Sequence, residues 1–259
     1  MKKLNKLILT LTFLISAIAA TAQKLPKVQT ESVYAPANIK IDGKPTEWEG
    51  KFQAYNRATE IYYTIANNNE NLYLIIQATD PDVINKITGG GITLSINKYG
   101  NKKDKNSVSI TYPVTEEKPS PLFILQGKTV VHLSAKEVEA MIVRYNKTLE
   151  QNFKWIKVNG IQSLGETVSI YNQDGIKAAS LFDNKKSYTC ELAIPLKYLA
   201  GLIGDGSKFT YHMVVNGRKL NTNLFGDPLP GQRVLPMIEK MQQMAEPTDF
   251  WGEYTLAGK

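Results

Sequence analysis

Glu60-Ile-Tyr-Tyr-Thr-Ile-Ala66 and Leu72-Tyr-Leu-Ile-Ile-Gln-Ala-Thr79, joined by Asn67-Asn-Asn-Glu-Asn71, decide the fold. Both runs are rich in β-branched and aromatic residues, and asparagines tolerate the left-handed backbone a tight connection needs. An antiparallel hairpin is the direct reading. Two more follow along the chain. Gly91 to Asn97 and Ser107 to Tyr112 flank the polar tip Tyr99 to Asn106, with Pro113 expected to close the second strand because it has no N–H to give a ladder. Ile176 to Phe182 and Ser187 to Ile194 flank Asp183 to Lys186. Further strands are expected at Asn38 to Ile41, Phe153 to Val158, Thr167 to Tyr171, Phe209 to Asn216 and Glu253 to Leu256. About ten or eleven short strands between polar turns predict an all-β, antiparallel β-sandwich.

One amphipathic helix is inserted in this pattern. Val138, Met141, Ile142, Tyr145 and Leu149 recur at helical spacing, and Ser134 with Glu137 forms a capping box at its start. The spacing predicts a helix from Ala135 to Glu150, with Leu133 and Val138 placed for a hydrophobic staple. A shorter helical stretch runs from Pro236 to Met244, where Met237, Met241 and Met244 read as gap-fillers. Cys190, the single cysteine, shares strand parity with Tyr188, Leu192 and Ile194, so it reads as a small buried hydrophobe.

Residues 1–22 have the plan of a signal peptide. Three lysines precede an apolar run from Leu7 to Ala20, and Ala20-Thr21-Ala22 offers the small residues a signal peptidase requires. Cleavage near Ala22/Gln23 predicts an exported protein, periplasmic or extracellular. The apolar run is shorter than the roughly 20 residues a membrane-spanning helix needs, so no membrane span is expected after cleavage. Residues 23–259 then read as one domain. The formal charge of +7 includes the signal lysines, and the remaining basic excess is scattered. Lys102, Lys103 and Lys105 sit in a polar turn. No basic stripe with interleaved aromatics suggests nucleic acid as a partner.

Catalytic signatures are sparse. The chain has no His-Glu-x-x-His, no Gly-x-Ser-x-Gly and no phosphate-binding Gly-x-x-x-x-Gly-Lys, and its two histidines, His132 and His212, have no nucleophile at a telling spacing. A non-enzymatic role is the simplest reading. Asp80 and Asp82 flank Pro81 at a strand end, where two carboxylates could hold a hard cation such as calcium or simply form a turn. Otherwise no cofactor is expected. The most ligand-like polar stretch is Asn216-Gly217-Arg218-Lys219 with Asn221 and Asn223, whose amides and guanidinium could bind hydroxyls or a carboxylate. Trp155 is a candidate stacking platform, sharing a face with Phe153 while Lys154 and Ile156 take the other. Tyr99, beside its turn, is a further candidate. Trp48 and Trp251 read as packing residues.

Several of these pieces occur in a telling order. Ile39-Lys40-Ile41-Asp42-Gly43 precedes Glu47-Trp48, Glu70-Asn71-Leu72-Tyr73-Leu74 leads to Thr79-Asp80-Pro81, and Tyr188 to Pro195 carries Glu191-Leu192-Ala193-Ile194-Pro195 with Leu199 beyond. Phe250-Trp251-Gly252 then precedes the last strand. This arrangement resembles family 9 carbohydrate-binding modules and their DOMON-type relatives. The resemblance implies a β-sandwich on an exported bacterial envelope protein, binding a carbohydrate or glycan through stacked aromatics and polar side chains. Two alternatives come with it. DOMON-type relatives bind haem for electron transfer through Met with His or Lys, although adjacent His212 and Met213 must face opposite ways on a strand. An envelope glycoside hydrolase would need two carboxylates supplied by distant strands.

Overall fold

The computed structural model describes residues 24–114, 134–218, 239 and 242–259. The signal-peptide segment, His132, Leu133, Asn221 and Asn223, Met237, Met241 and most of the Pro236 to Met244 stretch lie outside the described residues, and 242–245 are helical.

Among the described residues eleven strands form two antiparallel sheets. The five-stranded sheet runs in the order β1 (Ala54–Asn56), β2 (Ile61–Asn67), β3 (Asn71–Ala78), β9 (Tyr188–Pro195), β8 (Lys177–Phe182). The six-stranded sheet runs β11 (Thr248–Thr255), β10 (Lys208–Val215), β4 (Ile92–Lys98), β5 (Val108–Val114), β6 (Trp155–Asn159), β7 (Thr167–Ser169). Each expected hairpin pairs as read: β2 with β3, β4 with β5, β8 with β9. The sandwich is closed by the period of two: Phe209, Tyr211, Met213 and Val215 of β10 and Ile92, Leu94 and Ile96 of β4 all face the other sheet. Tyr63 of β2 and Tyr211 of β10 bring their hydroxyls to 2.9 Å across the sandwich, and the backbone N–H of Gln29 donates to Tyr63. Cys190 is fully buried among them, as its parity required, and burial pushes its thiol pKa far up.

The near-continuous apolar run of β3 has a structural cause. Its inward face lies in the main core, and its outer residues Tyr73 and Ile75 meet Ala193, Ala66 and Trp48 in a second apolar layer. Ile39, Ile41 and Phe52 complete that layer. Asn38 to Ile41 is therefore not a strand: its isoleucines alternate because they lie against the outer face of a sheet, with no neighbouring strand to pair with. The ladder contact in this region is a single parallel bridge, Tyr34 to Asn67.

Other elements also differ from expectation: the short strand β1 is not among those expected, β6 begins at Trp155 rather than Phe153, and β7 ends at Ser169 rather than Tyr171. Pro113 does not end β5, which continues to Val114 through a register shift between Thr111 and Val114, the irregularity that lets a proline sit in a ladder. β11 starts at Thr248, five residues before the expected Glu253, and pairs with β10 along its full length. A helix at Pro81–Gly90, α1, is not among the expected elements. Its signals are present in retrospect. Asp80 caps the first turn, accepting from the N–H groups of Asp82 and Val83, Pro81 stands at the first position, and Val83, Ile84 and Ile87 bury one face. The expected inserted helix, α2, spans Ala135–Asn152 with its Ser134/Glu137 capping box formed. Among the described residues no helix is long and apolar enough to cross a membrane.

Candidate functional site

The outer face of the six-stranded sheet carries the residues left over once the core is satisfied. Along β4 and β5 it presents hydroxyls and amides. Thr93 and Thr111 sit with oxygens 2.7 Å apart, the Asn216 side-chain amide donates to Thr93 at 2.9 Å, and that of Asn159 donates to Ser109 at 3.3 Å. At the β11 edge the face becomes aromatic. Trp251 projects outward and stacks on His212 of the neighbouring strand, ring centroids 4.1 Å apart and planes within 4°. His212 is oriented by Asp249, whose carboxylate lies 2.7 Å from Nε2.

The tip of the β4–β5 hairpin folds over this edge. Asp104 accepts from the backbone of Lys98 and Asn106, which rounds the turn, and the N–H of Gly100 donates to Thr210 at 2.9 Å. The fold-back places Tyr99, 44 % exposed, beside β10, with Lys208 5.5 Å from its ring, and Lys102 5.5 Å from the ring of Trp251. Val28 to Ser32 forms the opposite wall. That arm is fixed because the Gln29 side chain takes the place of a strand neighbour, exchanging two hydrogen bonds of 2.8 Å with the backbone of Ile65. The result is a cleft of about 500 Å³ lined by Tyr99, Trp251, Lys208, Thr210, Glu253 and Glu31, among others. Two aromatic surfaces, charges of both signs and a fixed hydroxyl suit a neutral polyhydroxylated ligand better than a strongly charged one. Asn97, buried beneath the same turn, holds a side-chain oxygen without a hydrogen-bond partner among the described residues.

The residues singled out from sequence are divided by the fold. Tyr99 lines the cleft. Trp155 and Asn216 lie on the same outer face at the other end of the strands: Trp155 pairs with Val114 and Ser169, and the Asn216 N–H donates to the Gly91 carbonyl. The expected common face of Phe153 and Trp155 does not form. Phe153 ends α2 and turns into the core, the strand begins after it, and Ile156 and Val158 point inward while Trp155 and Lys157 point out. Arg218 is half-buried against Gly89, and its backbone N–H donates to Met244. Asp80 is engaged as the α1 cap, and among the described residues no group of three or more His, Cys, Asp or Glu is arranged to hold a metal ion. His212 and Met213 face opposite ways, His212 outward and Met213 into the core.

Trp251 was read as packing and is instead a cleft residue. Its signal was available in strand parity: with Phe250 and Tyr254 buried on β11, the residue at odd register must point out.

The motifs that carry the family resemblance meet at one buried carboxylate. Glu191 on β9 accepts from the Trp48 indole at 3.0 Å through one oxygen, and from the N–H groups of Asp42 and Gly43 at 3.0 and 2.8 Å through the other. Gly43 has φ +81°, and a Cβ there would lie 2.6 Å from the Ser180 carbonyl carbon, so the Asp-Gly turn reaches the sheet only without a side chain. Burial pushes the Glu191 carboxyl up to about 7, against the three donors that favour its charged form. These residues clasp the covering segment 33–53 to the sheet, which makes them scaffold. No protein-family model and no curated protein matches this chain.

Proposed function

We propose that the protein is an exported, non-catalytic module that binds a carbohydrate or glycan in the cleft at the β11 edge, with Tyr99 and Trp251 as stacking surfaces. What carries the reading is that the exposed Tyr99 ring and an outward Trp251 line one cleft together with Lys208, Thr210 and Glu253. Apolar pyranose faces stack on such rings, and hydroxyls need fixed donors and acceptors around them. Export is supported by the charged and apolar pattern of residues 1–22. Trp155 and Asn216, on the same face, would extend contact along a longer chain.

The test is calorimetric titration of the full chain with a panel of plant, microbial and host oligosaccharides, repeated on Tyr99→Ala and Trp251→Ala. One glycan class should bind, and each substitution should weaken it at least about tenfold, the effect of losing one stacking contact of roughly 1.4 kcal/mol. Binding that survives both substitutions unchanged, or no binding by any member of the panel, overturns the reading.

A further inference from the structure

The five-stranded sheet has an open edge at β8, and that edge lies in a groove. β8 pairs with β9 so that Lys177, Ala179 and Leu181 share its ladder bonds, leaving the N–H and C=O groups of Ala178, Ser180 and Phe182 turned outward. Two asparagines close the ends. Asn146 of α2 donates to the Phe182 carbonyl at 3.0 Å and accepts from its N–H at 2.8 Å, imitating a strand residue. Asn172 donates to the Ile176 carbonyl at 2.6 Å. Between them the outward groups of Ala178 and Ser180 have no partner among the described residues.

A groove of about 620 Å³ runs along this stretch, walled by α2 on one side and by Ile170 and Tyr171 on the other. Its rims carry the two most exposed large hydrophobics among the described residues, Tyr171 at 70 % and Val143 at 64 %. Lys154 holds Tyr171 upright, its ammonium 2.6 Å from the hydroxyl and 5.0 Å from the ring centroid. A free sheet edge is ordinarily blunted by charge, proline or a covering element. Here the edge residues Ala178 to Leu181 are small or apolar, and among the described residues no element covers them between the two walls.

We infer that this groove receives an extended peptide from a partner protein, which adds as a sixth strand along β8. The alternating donors and acceptors of Ala178 and Ser180 call for a peptide backbone rather than a sugar or nucleotide. The span between Asn172 and Asn146 suits about four residues at roughly 3.3 Å each. Apolar side chains at alternate positions would meet Val143 and Tyr171. A second copy would have to bring its own β8 together with the α2 and Tyr171 walls that flank it, whereas a single extended peptide carries no such walls. The site is separate from the cleft between Tyr99 and Trp251.

A phage-displayed library of seven-residue peptides, selected on the immobilised full chain, supplies the probe. The enriched peptide is then synthesised and titrated by fluorescence polarisation. Ser180→Pro removes one outward N–H at an edge position where proline is tolerated, and should weaken binding at least about tenfold. Independently of that variant, N-methylation of the peptide should abolish binding at alternate residues and leave it intact at the residues between, as a ladder requires. No enriched sequence, or N-methylation effects without the period of two, overturns the proposal. So does sedimentation showing a dimer that Ser180→Pro dissolves, which would assign the edge to a second copy.

Discussion

The Trp48 indole N–H donates to the Glu191 carboxylate at 3.0 Å, joining residues 143 positions apart in the chain. That bond, with the two from Asp42 and Gly43, holds the covering segment on the sheet. Glu191→Ala strands three donors in an apolar layer and should cost about 2–4 kcal/mol, more than Trp48→Phe at about 1–2 kcal/mol, which leaves the carboxylate its other two partners. Urea unfolding of both variants measures the difference, and equal effects would show that the clasp does not act through the carboxylate.

Glu191 also predicts a pH dependence. Its folded-state carboxyl titrates near 7 rather than 4.5, so between those values the folded protein binds more protons than the unfolded chain. Its contribution is fully present below about pH 4.5 and is lost as pH rises through 7, on the order of 2–3 kcal/mol in all. Glu191→Gln should be less stable than the parent at pH 5 and should lack this decline. Unfolding curves at pH 5, 6, 7 and 8 check it, a parallel decline in both proteins being the contrary outcome.

Tyr211→Phe removes one side of the hydroxyl pair with Tyr63, whose own hydroxyl keeps the Gln29 N–H. Stability should fall by about 1 kcal/mol without loss of the fold. Thermal unfolding followed by near-ultraviolet circular dichroism reads both quantities.

Asp80→Ala should cost about 1 kcal/mol through loss of the α1 cap. If capping is the whole role of Asp80, the loss is the same with and without millimolar calcium. A loss seen only in calcium would return Asp80 and Asp82 to the role of cation ligands.

Gly252→Ala places a Cβ 2.2 Å from Cζ of Tyr211, in the middle of the β10–β11 ladder. Overpacking there should cost about 1–3 kcal/mol and push Tyr211 off its partner. Chemical denaturation gives the cost, and a variant as stable as the parent would mean that the β11 edge yields readily.

Fold class was legible because its signal is local. The asparagine-rich turn between Ile61 and Ala78, the alternation of Phe209 to Val215 and the Ser134/Glu137 capping box each depend on neighbours a few residues away. Asn38 to Ile41 misled for the same reason, since alternating isoleucines look alike whether they pair in a ladder or lie across a sheet. The candidate site was legible only in part. Tyr99 could be flagged by its polar turn, but its companion Trp251 stands 152 positions away and became a neighbour through the β11–β10–β4 pairing.

By itself, then, the amino-acid order determined the strands, their polar turns, the inward parity of Cys190 and the α2 helix, because period and capping act within one element. Only the tertiary structure decided which leftover side chains share a surface. Strand order brings Trp251, at the middle of β11, into one cleft with Tyr99 at the end of β4, and sets Trp155 and Asn216 at the opposite end of the outer face. It also turned the Asp-Gly, Trp48 and Glu191 motifs into one buried clasp and left β8 with a strand neighbour on one side alone among the described residues. Those outcomes depend on long-range pairing, whose geometry is written in no local run of residues.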